Sequence, residues 1–324
     1  MKRLTPRVVL LAASTMALTL STIASAQDFP GRIVRIIVPF SAGSATDILA
    51  RAVAVRLTEA WGQQVLTDNR PGALGIVGSE LMLKSNADGH TLLMVSSGHA
   101  ANATLAAKLP FDTVKDFSGV APVAIVPNVL VVSPASGVKS VRDLVELAKK
   151  RPNGLLFASA GIGSSTHLNG EVVRSALGIQ AQHVPFKGVP EGLTDVIGGR
   201  VDFFMVPLVA SLSQIKAGKL VGLAVGTNKR SSVLPDLPTL VETYPGAGFD
   251  GWFGLLASAK TPRPLIDRVN RDVNKVLSLP EVRELFLSQG AEAMSMSAEQ
   301  FDKFLLSEVA RLGKVVRESG AKAE

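Results

Sequence analysis

Short apolar runs rich in β-branched residues alternate along this chain with longer segments in which apolar residues recur every three or four positions. The runs predict strands at Ile33–Phe40, Thr91–Val95, Val120–Ile125, Val129–Val132, Leu155–Ala158, His183–Phe186, Val201–Met205, Val221–Val225 and Trp252–Leu256. With helical segments between them, the pattern is that of an α/β fold with mainly parallel sheets. The clearest helix runs from Asp47 to Trp61. Ile48, Leu49, Ala52, Val53, Leu57, Ala60 and Trp61 share one face, and Gly62 ends it. Near the C-terminus, Phe301, Phe304, Leu305, Val309 and Leu312 predict a helix docked by its apolar face, with Gly313 as an interruption. A membrane-surface helix is disfavoured there, because Asp302, Glu308 and Glu318 would be repelled by anionic lipid.

The first 26 residues have the layout of a secretory signal. Lys2, Arg3 and Arg7 lead into the apolar run Val8–Ala13, a weaker apolar stretch to Ile23, and the small-residue site Ala24-Ser25-Ala26. Ser14, Thr15, Thr19, Ser21 and Thr22 dilute the run too much for a membrane anchor. Cleavage after Ala26 on the general secretory route would deliver a soluble protein to a periplasmic space. It would also remove three cations from the formal +7 and no acid, since the first acidic residue is Asp28, leaving +4. With basic residues scattered and aromatics at 5%, that excess is no nucleic-acid footprint. A chain of 324 residues, 47% hydrophobic and 19% charged, is long and apolar enough for about two folded domains. The absence of cysteine rules out disulfides, thiolate metal sites, a cysteine nucleophile and a lipidated cysteine.

One internal echo carries more information than any single motif. After the first strand comes Ser41-Ala42-Gly43-Ser44-Ala45-Thr46-Asp47 and then an apolar-faced helix. After Leu155–Ala158 comes Ser159-Ala160-Gly161-Ile162-Gly163-Ser164-Ser165-Thr166-His167 and then another. In each unit glycine permits close backbone approach, Ser or Thr can cap, and the first N–H groups of a helix point outward at the positive end of its dipole. Each is a candidate anion cradle. If each opens one of two similar α/β lobes, both lie at the carboxyl edge of a sheet, and a ligand anionic at both ends could bridge them.

Catalytic arrangements are missing by comparison. Histidine occurs only at His90, His99, His167 and His183, with no metal-ligand spacing, so neither a metal nor a cofactor is expected. There is no G-x-S-x-G elbow and no Walker loop, and Gly161-Ile162-Gly163 is followed by Thr166 where a dinucleotide fingerprint needs Gly or Ala. Nothing indicates that Asp47, His167 and a serine converge as a triad. His167 reads as a polar residue in a first helical turn, His183 as a satisfied strand histidine, and His90 as an exposed turn residue.

Motifs over essentially the whole mature chain resemble one family. They are Ile36-Ile37-Val38-Pro39-Phe40 leading to Gly43 and Thr46-Asp47-Ile48-Leu49-Ala50-Arg51, then Asn69-Arg70-Pro71-Gly72-Ala73, Asp88-Gly89-His90-Thr91-Leu92 and Phe111-Asp112. His183-Val184-Pro185-Phe186-Lys187-Gly188, Ile197-Gly198-Gly199, Ala217-Gly218-Lys219-Leu220 and Leu234-Pro235-Asp236-Leu237-Pro238-Thr239 follow in order. The whole is similar to the tripartite tricarboxylate transporter substrate receptors, also called Bug receptors. This chain has Gly43-Ser44 where the family usually has paired glycines, and His90 and Phe186 in place of its usual tyrosines.

The resemblance implies an extracytoplasmic, monomeric solute-binding protein of periplasmic-binding-protein type II: two mixed α/β lobes joined by two crossing hinge strands, closing like a flytrap on a small carboxylate. One lobe would comprise 27–124 plus 250–324 and the other 125–249, with crossings near Ala124–Asn128 and Phe249–Trp252. Ligand-binding candidates are Phe40, Ser41, Gly43, Ser44 and Asp47 in one lobe, Ser159, Gly161, Ser165, Thr166 and His167 in the other, and Ser96 and Ser97 after the strand ending at Val95. Asp47 would either cap backbone amides or accept an ammonium group, and which of Arg51, Arg70 and Lys187 approaches the cleft stays open. The expected partners are a small di- or tricarboxylate or related acid and the membrane subunits of a tripartite tricarboxylate-type transporter. The alternatives are presentation of the ligand to a sensor kinase, or an enzyme acting on a small carboxylate. Micromolar binding needs about 8 kcal/mol and a helix dipole supplies at most about 2, so closure must add four or five charge-assisted hydrogen bonds.

Overall fold

The computed structural model describes residues 29–322. The first half of the chain runs β1 (Val34–Val38), α1 (Ala45–Trp61), β2 (Val65–Asn69), α2 (Ile76–Lys84), β3 (Thr91–Ser96), α3 (Gly98–Leu105), β4 (Phe117–Val132), α4 (Val141–Lys149) and β5 (Leu155–Ser159). It continues through α5 (Ser165–Ala176), β6 (Ala181–Pro185), α6 (Val189–Ile197), β7 (Phe203–Pro207), α7 (Leu208–Lys216) and β8 (Val221–Val225). The chain then returns through β9 (Asp250–Ser258), α8 (Arg263–Ser278), α9 (Pro280–Ser288), β10 (Glu292–Ala293) and α10 (Ala298–Ser319).

The strands lie in the order β2-β1-β3-β9-β4-β7-β5-β6, with β8 and β10 also paired to β4. The outer strands β2-β1-β3 and β6-β5-β7 are parallel sets, and β9 and β4 run antiparallel to their neighbours. The sheets are therefore mixed, not mainly parallel. Side chains alternate between two buried layers in each half. Ile36 and Val38 pack against α1 and α8, while Ile37, Leu93 and Val95 pack against α3 and α10. Leu130 and Val132 join Phe157 and Phe203 on one face of the second half, and Val129 and Val131 join Ala158 and Phe204 on the other. This period-two alternation is what lets helices cover both faces.

β4 is one strand of 16 residues where the apolar pattern predicts two. Its register slips between Gly119 and Ala121 and between Pro122 and Ala124 absorb the irregularity. Pro127 pairs with Asp250, the first residue of β9, where that ladder ends, and Asn128 pairs with Pro207 at the start of the next ladder. The proline that lacks a donor thus falls where β4 exchanges one set of partners for the other. Strand β2 was not anticipated, because of its five residues only Val65 is buried. Strand β7 begins two residues later than Val201.

Helix α10 also departs from expectation. It runs unbroken through Gly313, opened by a capping box between Ser297 and Gln300. Gly313 is buried against α3, where a Cβ would lie 2.7 Å from Thr104 Oγ1, so the residue permits close helix contact. Phe301, Leu305, Leu312 and Val316 form the buried face. Among the described residues no helix is long and apolar enough to cross a membrane. The expected leader, with its cleavage site after Ala26, lies outside the described residues.

Candidate ligand-binding cleft

The two strand–turn–helix units face each other across the molecule. In the first, β1 leads through Gly43, at φ +81°, to Ser44, which occupies the cap position of α1 in ordinary extended geometry (φ −69°, ψ 160°). The Ser44 hydroxyl caps nothing; it is buried and has no partner among the described residues. Asp47 does the local work instead. Its Oδ2 accepts from the Gly43 amide and from Arg51 Nε, both at 2.9 Å, and its Oδ1 accepts from Asn69 Nδ2 at 3.0 Å. Asn69 Nδ2 also donates to the Phe40 carbonyl, which ties the turn to β2. Burial pushes the Asp47 carboxyl up, but the hydrogen bonds from Arg51, Gly43 and Asn69 outweigh it and hold the pKa below the usual carboxylate value.

The second unit is braced differently. Ser164 is a true cap, its Oγ accepting from the His167 amide at 3.1 Å while donating to the Gly161 carbonyl at 2.6 Å. Thr166 Oγ1 accepts from the Ala160 amide at 2.8 Å. Ser159 Oγ accepts from the Gly161 amide at 3.0 Å and meets His183 Nε2 at 2.6 Å. The Gly163 amide donates to His167 Nδ1 at 3.3 Å, so that nitrogen is the unprotonated one. The rings of His167 and His183 stack with centroids 4.1 Å apart. Burial lowers the His167 pKa to about 4, and burial together with the neighbouring His167 lowers that of His183 to about 3. Both are neutral imidazoles that stiffen the loop.

The amides of Gly43 and Gly161, the glycines of the sequence echo, are therefore spent inside their own turns. Among the described residues no acceptor meets the amides of Ala45, Thr46 and Asp47 in α1, or of Ser165 and Thr166 in α5. These helix starts line a common, nearly filled pocket of about 10 Å³. Phe40, Ser44, Ala45, Thr46, Ser96 and Phe253 form one wall, and Ala160, Ser164, Ser165, Thr166, Val189 and Pro207 form the other. The lining carries hydroxyls and apolar surface and no charged side chain.

Of the residues picked from sequence, Phe40, Ser44, Ser96, Ser165 and Thr166 line this pocket. Gly43, Asp47, Ser159, Gly161 and His167 hold its turns. Ser41 Oγ reaches across to Glu191 Oε1 at 2.7 Å. Ser97 is buried before α3 with a hydroxyl that has no partner, outside the lining. Arg51 is engaged by Asp47 and Asn69, Arg70 by Asp68, and Lys187 is exposed, so none of the three lines the pocket. Val189, Pro207 and Phe253 come from separate elements and had no local signal, whereas Thr46 sat in the quoted turn and could have been chosen. His90 is not exposed: its ring is half-buried on Phe29, at 4.9 Å, with Nδ1 bonded to Asp88. A larger cavity of about 310 Å³ lies away from both helix starts, beside Trp252, Phe304 and Asp250, with the Glu308–Arg311 ion pair in its wall.

The sequence model of the tripartite tricarboxylate transporter family receptors matches residues 49–321. The chain belongs to this family. Three solved structures resemble the receptor along nearly their full length. An R. palustris protein, Rpa4515, solved with adipate is 34% identical with a TM-score of 0.88, over 91% of this chain and 99% of that one. The periplasmic binding protein BugD is 28% identical with a TM-score of 0.87, over 91% and 99%. MatC from Rhodopseudomonas palustris with bound malate is 28% identical with a TM-score of 0.85, over 89% and 100%. The receptor thus has the two-lobed α/β architecture of periplasmic solute-binding proteins.

Proposed function

We propose that this receptor captures a small dicarboxylate or related organic acid between the starts of α1 and α5 and delivers it, chemically unchanged, to the membrane subunits of a tripartite tricarboxylate-type transporter. The observation that carries the reading is the pocket itself, in which two opposed helix N-termini with unaccepted amides share one space with serine and threonine hydroxyls. A carboxylate placed there is met by dipoles and donors and needs no cationic side chain. A ligand with two carboxylates satisfies both walls, while Phe40, Val189, Pro207 and Phe253 supply apolar lining. The adipate and malate bound by two structural relatives have this form.

In this reading the lobes are 27–124 plus 250–324 and 125–249, hinged near Ala124–Asn128 and Phe249–Trp252, and the protein works in the periplasm after removal of residues 1–26. Both oxygens of Asp47 are occupied by its own chain, which favours its capping role over ammonium recognition. A panel of carboxylates including adipate and malate, read by thermal shift and calorimetry, tests the proposal. A ligand at 100 times its Kd adds about 2.7 kcal/mol of stability. A panel without shifts, or turnover of any member, would count against it.

A further inference from the structure

Backbone meets backbone across the cleft at two places, each a segment of one lobe seated on the turn and helix start of the other. From the second lobe, the segment entering α6 covers the first cradle. The Ser41 amide donates to the Lys187 carbonyl at 3.4 Å, Ser41 Oγ bonds Glu191, and Pro190 packs on Gly43. From the first lobe, the start of α3 covers the second cradle at Gly163–Ser165.

A glycine without a left-handed backbone sits at a tight point of each seam. A Cβ on Gly98 would fall 2.6 Å from the Gly163 carbonyl oxygen and 2.8 Å from the Ser165 nitrogen. A Cβ on Gly188 would fall 2.7 Å from the Ser41 Cβ. Neither glycine is needed for its own backbone. Gly98 begins a helix without a left-handed φ, and Gly188 is extended at φ −174°. The three atoms nearest each Cβ all belong to the opposite lobe. Neither residue lines the pocket between the helix starts.

We propose that Gly98 and Gly188 are closure positions, set against each other in a reciprocal clasp, and that a methyl group at either holds the lobes apart while leaving each lobe intact. The inference rests on the two-lobed closing reading above, but its test does not depend on which ligand is bound. The chain has no cysteine, so spin labels at Val55→Cys in α1 and Lys149→Cys in α4, both exposed, report the distance between lobes.

Gly98→Ala and Gly188→Ala should lose the short-distance population and bind adipate or malate at least tenfold more weakly, with the melting temperature of the free protein unchanged. The two seams differ in a way that separates closure from general damage. The closest Gly188 contact is with the Ser41 Cβ, with the Ser41 nitrogen at 3.1 Å behind it, so adding Ser41→Gly to Gly188→Ala should restore much of the short-distance population, measured against Ser41→Gly alone. The Gly98 clash is with backbone and should have no such rescue. The proposal is overturned if the alanine variants close as the parent does, if they lower the melting temperature without changing the distance distribution, or if the parent never populates the short distance. A parent that closes spontaneously but responds to no carboxylate would overturn the ligand assignment and leave the glycine variants to decide the clasp.

Discussion

Replacing Ser44 with alanine should move stability and affinity in opposite directions. Loss of a serine at a helix cap ordinarily costs about 1 kcal/mol, because its oxygen accepts from a first-turn amide. Ser44 makes no such bond, and its hydroxyl is buried without a partner. A buried unsatisfied polar group costs about 1–3 kcal/mol, so Ser44→Ala should leave the free receptor as stable or raise its melting temperature by about 2–4 °C per kcal/mol regained. The φ of −69° suits alanine equally well. In the proposed complex the hydroxyl would donate to a carboxylate, and such a bond is worth about 1.5–3 kcal/mol. At about 1.4 kcal/mol per factor of ten, its loss should weaken adipate or malate binding roughly ten- to hundredfold. Calorimetric titration gives the affinity, and a melting curve without ligand gives the stability. A free variant that melts lower while binding unchanged would refute the reasoning, since Ser44 would then be an ordinary cap.

Asp47→Ala should destabilise the free protein by about 2–4 kcal/mol, because it strips acceptors from the Gly43 amide, Asn69 and Arg51 at once; denaturant unfolding reads this, and a change below about 0.5 kcal/mol would contradict it. The lowered pKa values of His99, His167 and His183 mean that the folded state stays neutral where the unfolded chain takes up protons. Stability should thus be fully present above about pH 6.5 and fall as the pH drops towards 4, by up to about 1.4 kcal/mol per pH unit for each histidine. Unfolding midpoints at pH 7 and 5 check the sign, and equal values would rule the burial argument out. Gly313→Ala should cost about 1–3 kcal/mol by forcing α10 off Thr104, and combining it with Thr104→Ala should recover most of that loss in a double-mutant cycle.

The strands and the two turn–helix units were legible because period-two apolar runs and Ser-Gly turns are local signals. So was most of the face of α1, whose Leu49, Val53 and Leu57 are buried, although Ala60 near its end is exposed. Strand β2 was not legible, since an edge strand with one buried residue has no apolar pattern to show. The fusion of Val120–Ile125 with Val129–Val132 depended on partners at Asp250 and Pro207, far away in sequence. At the cleft, residue types pointed to the turns that line the shared pocket but not to which amides each turn consumes. That outcome was set by side chains bonding within each turn, Asp47 back to Gly43 and Ser159 forward to Gly161. The opposite wall of each cradle, including Val189 and Phe253, is a product of tertiary convergence alone.

The long strand β4 has a mechanical consequence. Because it stays hydrogen-bonded to β9 up to the Pro127–Asp250 pair and to β7 from the next residue onward, the joint is a two-ply ribbon without a slack tether. Such a ribbon flexes readily across its thin dimension and resists shear within its plane. If the lobes hinge there as proposed, such a ribbon would confine their swing to essentially one axis.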